Sequence, residues 1–124
     1  MSLKIYRCPH CGNIITHLKE SGVNVYCCGA KMELLVPNTS DAAGEKHVPV
    51  ILKEGNKVLV KVGEVPHPML KEHHIEWIIL QTSKKYQVAH LKAGEAPEAT
   101  FVIDDDEEII EALEYCNLHG LWVK

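Results

Sequence analysis

Cys116 and His119 stand three residues apart in the stretch Tyr115-Cys116-Asn117-Leu118-His119-Gly120-Leu121-Trp122. Gly120 suits a tight loop, so a thiol and an imidazole are kept close together. Cys116 has no obvious cysteine partner, because the other four cysteines lie far upstream in a pattern of their own. It does have histidines. His47, His67 and His73 each sit in a short segment with Pro or Gly nearby, as loops do. An imidazole-rich set with one thiolate suits iron, zinc or copper. We read His47, His67, His73, His119 and Cys116 as one metal centre. His10, His17 and His90 are read as ordinary surface or hydrogen-bonded residues.

A second chemistry is written near the N-terminus. Cys8-Pro9-His10-Cys11-Gly12 is a metal knuckle, followed by Cys27-Cys28-Gly29. Adjacent thiolates can share one tetrahedral ion only across a sharp local turn, which Gly29 permits. A disulfide pair is the competing reading. A unit of fewer than about 40 residues buries too little surface to fold alone, and four thiolates on one ion would staple it. Zinc and iron both accept four thiolates, so the ligands alone leave the metal open.

The elements that must position these groups read as all-β. Lys4–Arg7, Asn13–Leu18 and Val23–Tyr26 are short strand-like runs. Pro37–Gly44 has turn formers and no periodicity, and reads as a linker. From Glu45 onward, β-branched and alternating runs are expected as strands at 48–52, 57–62, 75–80, 86–91 and 99–103, with a hairpin turn at Glu54–Lys57. Short strands with frequent turns suggest a β-sandwich. The run Asp104–Glu108 either opens a short helix through Leu113 or is an acidic turn before a last strand, and its charges are read as solvated surface. The expected domains are 1–36, a linker at 37–44, and 45–124.

Composition limits the function classes. The 124 residues make one ordinary domain or a domain with a small appendage, and 46% hydrophobic content is enough for a core. No apolar run approaches the ~20 residues that span a bilayer. The net charge of -4 argues against nucleic-acid binding. The start of the chain lacks the apolar core of a signal peptide. A cytoplasmic setting is therefore expected, where clustered cysteines more often bind metal than pair.

These residues also resemble a known family. Glu45-Lys46-His47-Val48-Pro49, His67-Pro68-Met69 with His73, Ile75-Glu76-Trp77-Ile78, and Cys116-Asn117-Leu118-His119-Gly120-Leu121-Trp122 are similar to the superoxide reductases. Cys8-Pro9-His10-Cys11-Gly12 and Cys27-Cys28-Gly29 resemble the desulforedoxin-type module that opens the two-iron members, the desulfoferrodoxins. The resemblance covers essentially the whole chain, in the family's order. It implies an immunoglobulin-like β-sandwich catalytic domain behind a small desulforedoxin-like domain.

It also implies two irons. One is held by Cys8, Cys11, Cys27 and Cys28. The other is ferrous, with His47, His67, His73 and His119 in a plane, Cys116 along the axis and a sixth position open. The implied reaction takes superoxide, one electron and two protons to hydrogen peroxide. Rubredoxin or a similar carrier would re-reduce the iron. Lys46 is expected to attract the substrate anion, and Glu45 to offer its carboxylate to the ferric site. A homodimer is implied, in an anaerobe or microaerophile. Two rival readings are a rubredoxin-like electron-transfer protein and a zinc-ribbon interaction module. Both leave Cys116 and the four histidines without a role.

Overall fold

Thiols and turns, more than apolar side chains, shape the first part of the chain. The computed structural model describes residues 2–39 and 44–124, with the backbone but not the side chain of Glu45. Two compact units result, Met1–Val36 and Pro37–Lys124. In the first, β1 (Tyr6–Arg7) pairs antiparallel with β2 (Ile14–Ile15), and β3 (Tyr26–Cys27) pairs with β4 (Ala30–Lys31). Strand β5 (Glu33–Leu34) returns to pair with β1. All five strands are two residues long. The buried apolar residues of this unit are Ile5, Cys8 and Met32.

The second unit opens with one helical turn, α1 (Gly44–His47), closed by the Val48 amide donating to the Gly44 carbonyl at 2.8 Å. Seven strands follow: β6 (Pro49–Glu54), β7 (Lys57–Val62), β8 (Ile75–Thr82), β9 (Tyr86–His90), β10 (Glu98–Val102), β11 (Ile109–Cys116) and β12 (Gly120–Val123). They form an antiparallel sheet in the order β10-β7-β6 and another in the order β12-β11-β8-β9. This is an all-β sandwich of the immunoglobulin-like kind. Alternation explains the inner face of β7, where Val58, Val60 and Val62 are buried while Lys57 and Lys61 are exposed. They meet Ile75, Ile78, Leu80, Ala112 and Cys116 from the facing sheet, with Phe101 and Ile103 completing the core.

Two expectations are refined. The acidic run forms a turn, and β11 follows it at once. Its charges are not all solvated. Asp104, Asp105, Asp106 and Glu108 are exposed, but Glu107 is 4% exposed. Its carboxylate accepts bonds from Thr82 and from the Asp104 amide and pairs with Lys85 at 2.8 Å. In the expected linker, residues 40–43 lie outside the described residues. Asn38 is bonded to β12. Its amide and side chain donate to the Leu121 and Val123 carbonyls, and its Oδ1 accepts from the Val123 amide.

The pairing also sets where the sandwich presents its loops. Pro49 at the start of β6 lies across from Val62 at the end of β7. Cys116 at the end of β11 lies across from Ile75 at the start of β8 and from Gly120 at the start of β12. The segments carrying His47, His67, His73 and His119 are attached to these same strand ends.

Candidate metal centres

In the first unit a tight turn brings Cys8 and Cys11 together. The Gly12 amide donates to the Cys8 carbonyl at 3.1 Å, and Gly12 has φ 79°. A second sharp turn follows β3, with Cys28 at φ 54° and Gly29 at φ 72°. A non-glycine residue in the left-handed region is uncommon, and here it lets neighbouring cysteines face one point. One sulfur from each of Cys8, Cys11, Cys27 and Cys28 lies within 4.8 Å of the others. All are free thiols. A tetrahedron of sulfurs about 2.3 Å from a central ion has edges of about 3.8 Å. Cys11 Sγ and Cys27 Sγ are 3.6 Å apart. The Cys11 amide, donating to Cys8 Sγ, brings the Cys8 thiol down to about 6. Protons shared with Cys11 and Cys8 push Cys28 up to about 12. Crowded thiolates repel one another, and a cation among them removes that repulsion.

In the second unit four imidazoles close a ring. Centroids are 4.6 Å apart for His47–His67, 4.7 Å for His67–His73, 5.0 Å for His73–His119 and 4.9 Å for His119–His47. Each ring plane stands nearly perpendicular to its neighbours', at 78° to 88°. His47 and His67 turn Nε2 inward, 3.1 Å apart. His119 turns Nδ1 inward, 3.1 Å from His47 Nε2 and 3.9 Å from Cys116 Sγ. A square of nitrogens about 2.1 Å from a central ion has edges of about 3.0 Å, so the spacing fits a cation. All five donor atoms lie within 4.8 Å of one another. His73 Nε2 is buried without a hydrogen-bond partner among the described residues. Such an atom carries a free-energy penalty unless it is partnered, and a metal at the ring's centre would partner it.

The protonation states suit that role. His67 Nδ1 lies 2.7 Å from the Pro68 carbonyl, which can only accept, so Nδ1 carries the proton and Nε2 keeps its lone pair. Burial takes His67 down to about 4. Burial, then repulsion from His119 and His74, also lowers His73. Both rings are neutral at pH 7, the form that ligates metal. Burial raises the Cys116 thiol, against the pull of the Leu118 and His119 amides. A thiol so placed needs a cation beside it to persist as thiolate.

His74 stands outside the ring, its Nδ1 bonded to the Leu70 carbonyl at 3.0 Å. Lys46 is exposed beside buried His47. Two neighbours of the ring escaped the sequence reading. Trp122 stacks on His47 with centroids 4.9 Å apart and donates through Nε1 to the His119 carbonyl at 3.2 Å. Glu114, two residues before Cys116, is fully buried, and neither carboxylate oxygen has a partner among the described residues. Burial pushes it up to about 9. Its signal was a carboxylate two residues from Cys116 and from Ala112, and hence on one face of β11 with residues that point into the core.

An all-β protein with a four-thiol module and a four-imidazole, one-thiol cluster at the strand ends of a sandwich is a two-centre metal-binding protein. The family model described as desulfoferrodoxin matches residues 39–124, and the one described as desulfoferrodoxin, N-terminal domain, matches residues 2–35. The chain belongs to the desulfoferrodoxin family. It is 50% identical over 119 residues to a desulfoferrodoxin of Nitratidesulfovibrio vulgaris, covering 96% of this chain and 93% of that one. A superoxide reductase of Thermococcus kodakarensis is 41% identical over 101 residues, covering 68% of this chain and 88% of that protein. The crystal structure of the superoxide reductase from Treponema pallidum superposes with a TM-score of 0.84 at 38% identity, covering 100% of this chain and 99% of that one.

Proposed function

We infer that the chain is a superoxide reductase, taking superoxide, one electron and two protons to hydrogen peroxide without making dioxygen. The observation that carries this reading is the closed ring of four imidazoles with the Cys116 sulfur beside it. His47, His67, His73, His119 and Cys116 would hold one iron, and Cys8, Cys11, Cys27 and Cys28 a second. Iron bound by four neutral imidazoles and one thiolate supplies a single electron, and the thiolate raises the electron density available to give. The chain's own residues do the rest. Pro68 fixes the His67 tautomer. The net charge of -4 repels an anion, so attraction must be local, and exposed Lys46 beside His47 supplies it. Glu45 is proposed as an anionic oxygen donor to the oxidised site, since a hard carboxylate prefers the higher charge.

The donor is proposed to be rubredoxin or a similar small carrier, and the four-thiolate iron to be an auxiliary centre or a staple. We propose a homodimer in the cytoplasm, divided into a module at 1–36, a linker at 37–44 and a catalytic domain at 45–124. No helix among the described residues is long and apolar enough to cross a membrane. The test is metal analysis of anaerobically purified protein followed by a radiolytic pulse of superoxide. Two irons per chain and peroxide without dioxygen are expected. One iron without reaction would replace this reading with an electron-transfer protein, and zinc alone with an interaction module.

A further inference from the structure

The ladder between β11 and β8 ends irregularly. Tyr115 pairs with Trp77, but Cys116 pairs with Ile75, so the register shifts at Cys116. Beyond that point neither partner is in regular structure. On one side is the turn Asn117-Leu118-His119. On the other is the long connection from β7 to β8, which carries His67 and His73 and whose one strand-like contact is the Leu70–His73 bridge. Two candidate ligands therefore hang from each of two loops, and the ring closes only if those loops hold a fixed separation.

Asn117 spans the gap. Its Oδ1 accepts from the His74 amide at 2.9 Å, and its Nδ2 donates to the Glu72 carbonyl at 3.0 Å. Its own amide donates to the His74 carbonyl at 3.2 Å. One side-chain amide thus brackets His73 from both flanks while its backbone adjoins Cys116. The far loop is tied to itself: Leu70 and His73 exchange backbone bonds of 2.8 and 3.1 Å, and His74 Nδ1 closes onto the Leu70 carbonyl. We propose that Asn117 is the positioning residue that sets the distance between the Cys116–His119 turn and the His67–His73 loop, and so the separation of sulfur and imidazoles at the metal. The inference rests on the reading of those residues as ligands.

The amide group is specific to the task. It offers one acceptor and two donors on a short stem, and the two flanking backbone groups are one donor and one carbonyl. Aspartate keeps the acceptor but sets a second oxygen against the Glu72 carbonyl. Alanine loses both side-chain bonds and leaves only the backbone contact. Partners that orient a ligand from behind commonly alter metal affinity ten- to a hundredfold.

The test loads the full chain with Co2+ and follows its release to a chelator. Cobalt in four thiolates and cobalt in four imidazoles with one thiolate have different spectra, so each centre is read separately and the N-terminal one is the internal control. For Asn117→Ala we expect ten- to a hundredfold weaker retention at the imidazole centre, a shifted thiolate charge-transfer band there, and no change at the four-thiolate centre. Asn117→Asp should fall between, and it keeps the test alive if the alanine variant does not fold. Wild-type retention and an unmoved band in both variants would overturn the proposal. So would equal weakening at both centres, which marks general destabilisation. Wild-type protein that takes up cobalt only in the thiolate centre would instead overturn the ligand reading itself.

Discussion

The two units build metal sites by opposite routes. In the first, Ile5, Cys8 and Met32 are the buried apolar residues, and one of them is itself a candidate ligand. Strands of two residues and so small a core cannot offset the entropy of ordering the chain. The fold there must be made by its ion. In the second unit a two-sheet core with fully buried Val58, Val60, Ile75, Ile78, Leu80 and Leu113 is large enough to form without an ion, although one ligand, Cys116, belongs to it. Its strand ends carry the ring. A closed four-thiolate site thus goes with a fold that needs metal, and the imidazole ring with a fold that brings ligands to the metal.

That contrast can be broken outright by removing metal from the whole protein. Hydrogen exchange should then show amides of β1 and β5 losing protection while those of β8 and β11 keep it. Structural metal stabilises small modules by on the order of 10 kcal/mol, so the first loss should be complete. Retained protection in β1 would mean that the small unit folds without an ion. Next in size is Cys116→Ser. It should abolish the sulfur-to-iron charge-transfer band and lower the superoxide rate by more than about a hundredfold, while the four-thiolate spectrum stays. Lys46→Ala should slow the second-order reaction with superoxide about ten- to a hundredfold and flatten its salt dependence, with no effect on the first unit. Pulse radiolysis at several ionic strengths measures this, and equal rates at low salt would remove Lys46 from the pathway.

The smallest effect concerns the sandwich alone. Glu107 sits at about 2, held there first by Lys85, then by Thr82 and the Asp104 amide. An unfolded chain has this group at about 4.3. Its contribution is therefore present above about pH 4.3 and fades as pH falls towards about 2. Denaturation of wild type and Glu107→Gln should show a stability gap at pH 6 that narrows by pH 3. A gap constant with pH would mean that the carboxylate charge is irrelevant there.

Residue type and spacing made the ligands legible, because thiols and imidazoles near turns have few other uses in such numbers. Alternation made β7 legible, and the continuous apolar run made β8 legible as a strand buried on both faces. Asp104–Glu108 was ambiguous because acidic residues suit both turns and helix starts, and it is contacts with Lys85 and Thr82, distant in the chain, that draw Glu107 inward. Asn117 and Glu114 were hidden for a different reason. Asn117's partners come from the loop before β8, so its role depends on tertiary pairing, and Glu114 carried only the weak signal of its two-residue spacing from Cys116.

The ring joins His47 to His119, 72 residues apart in the chain. The four thiols, by contrast, are all in place once Cys28 has been made. On a ribosome the first site is complete while most of the sandwich is still untranslated. The second stays open until His119 has emerged and β12 has paired with β11. Chain order alone therefore sets a loading schedule. The thiolate module can bind an ion first, before the sandwich has formed. The imidazole ring can take up an ion only later, once the strands that carry its histidines have paired.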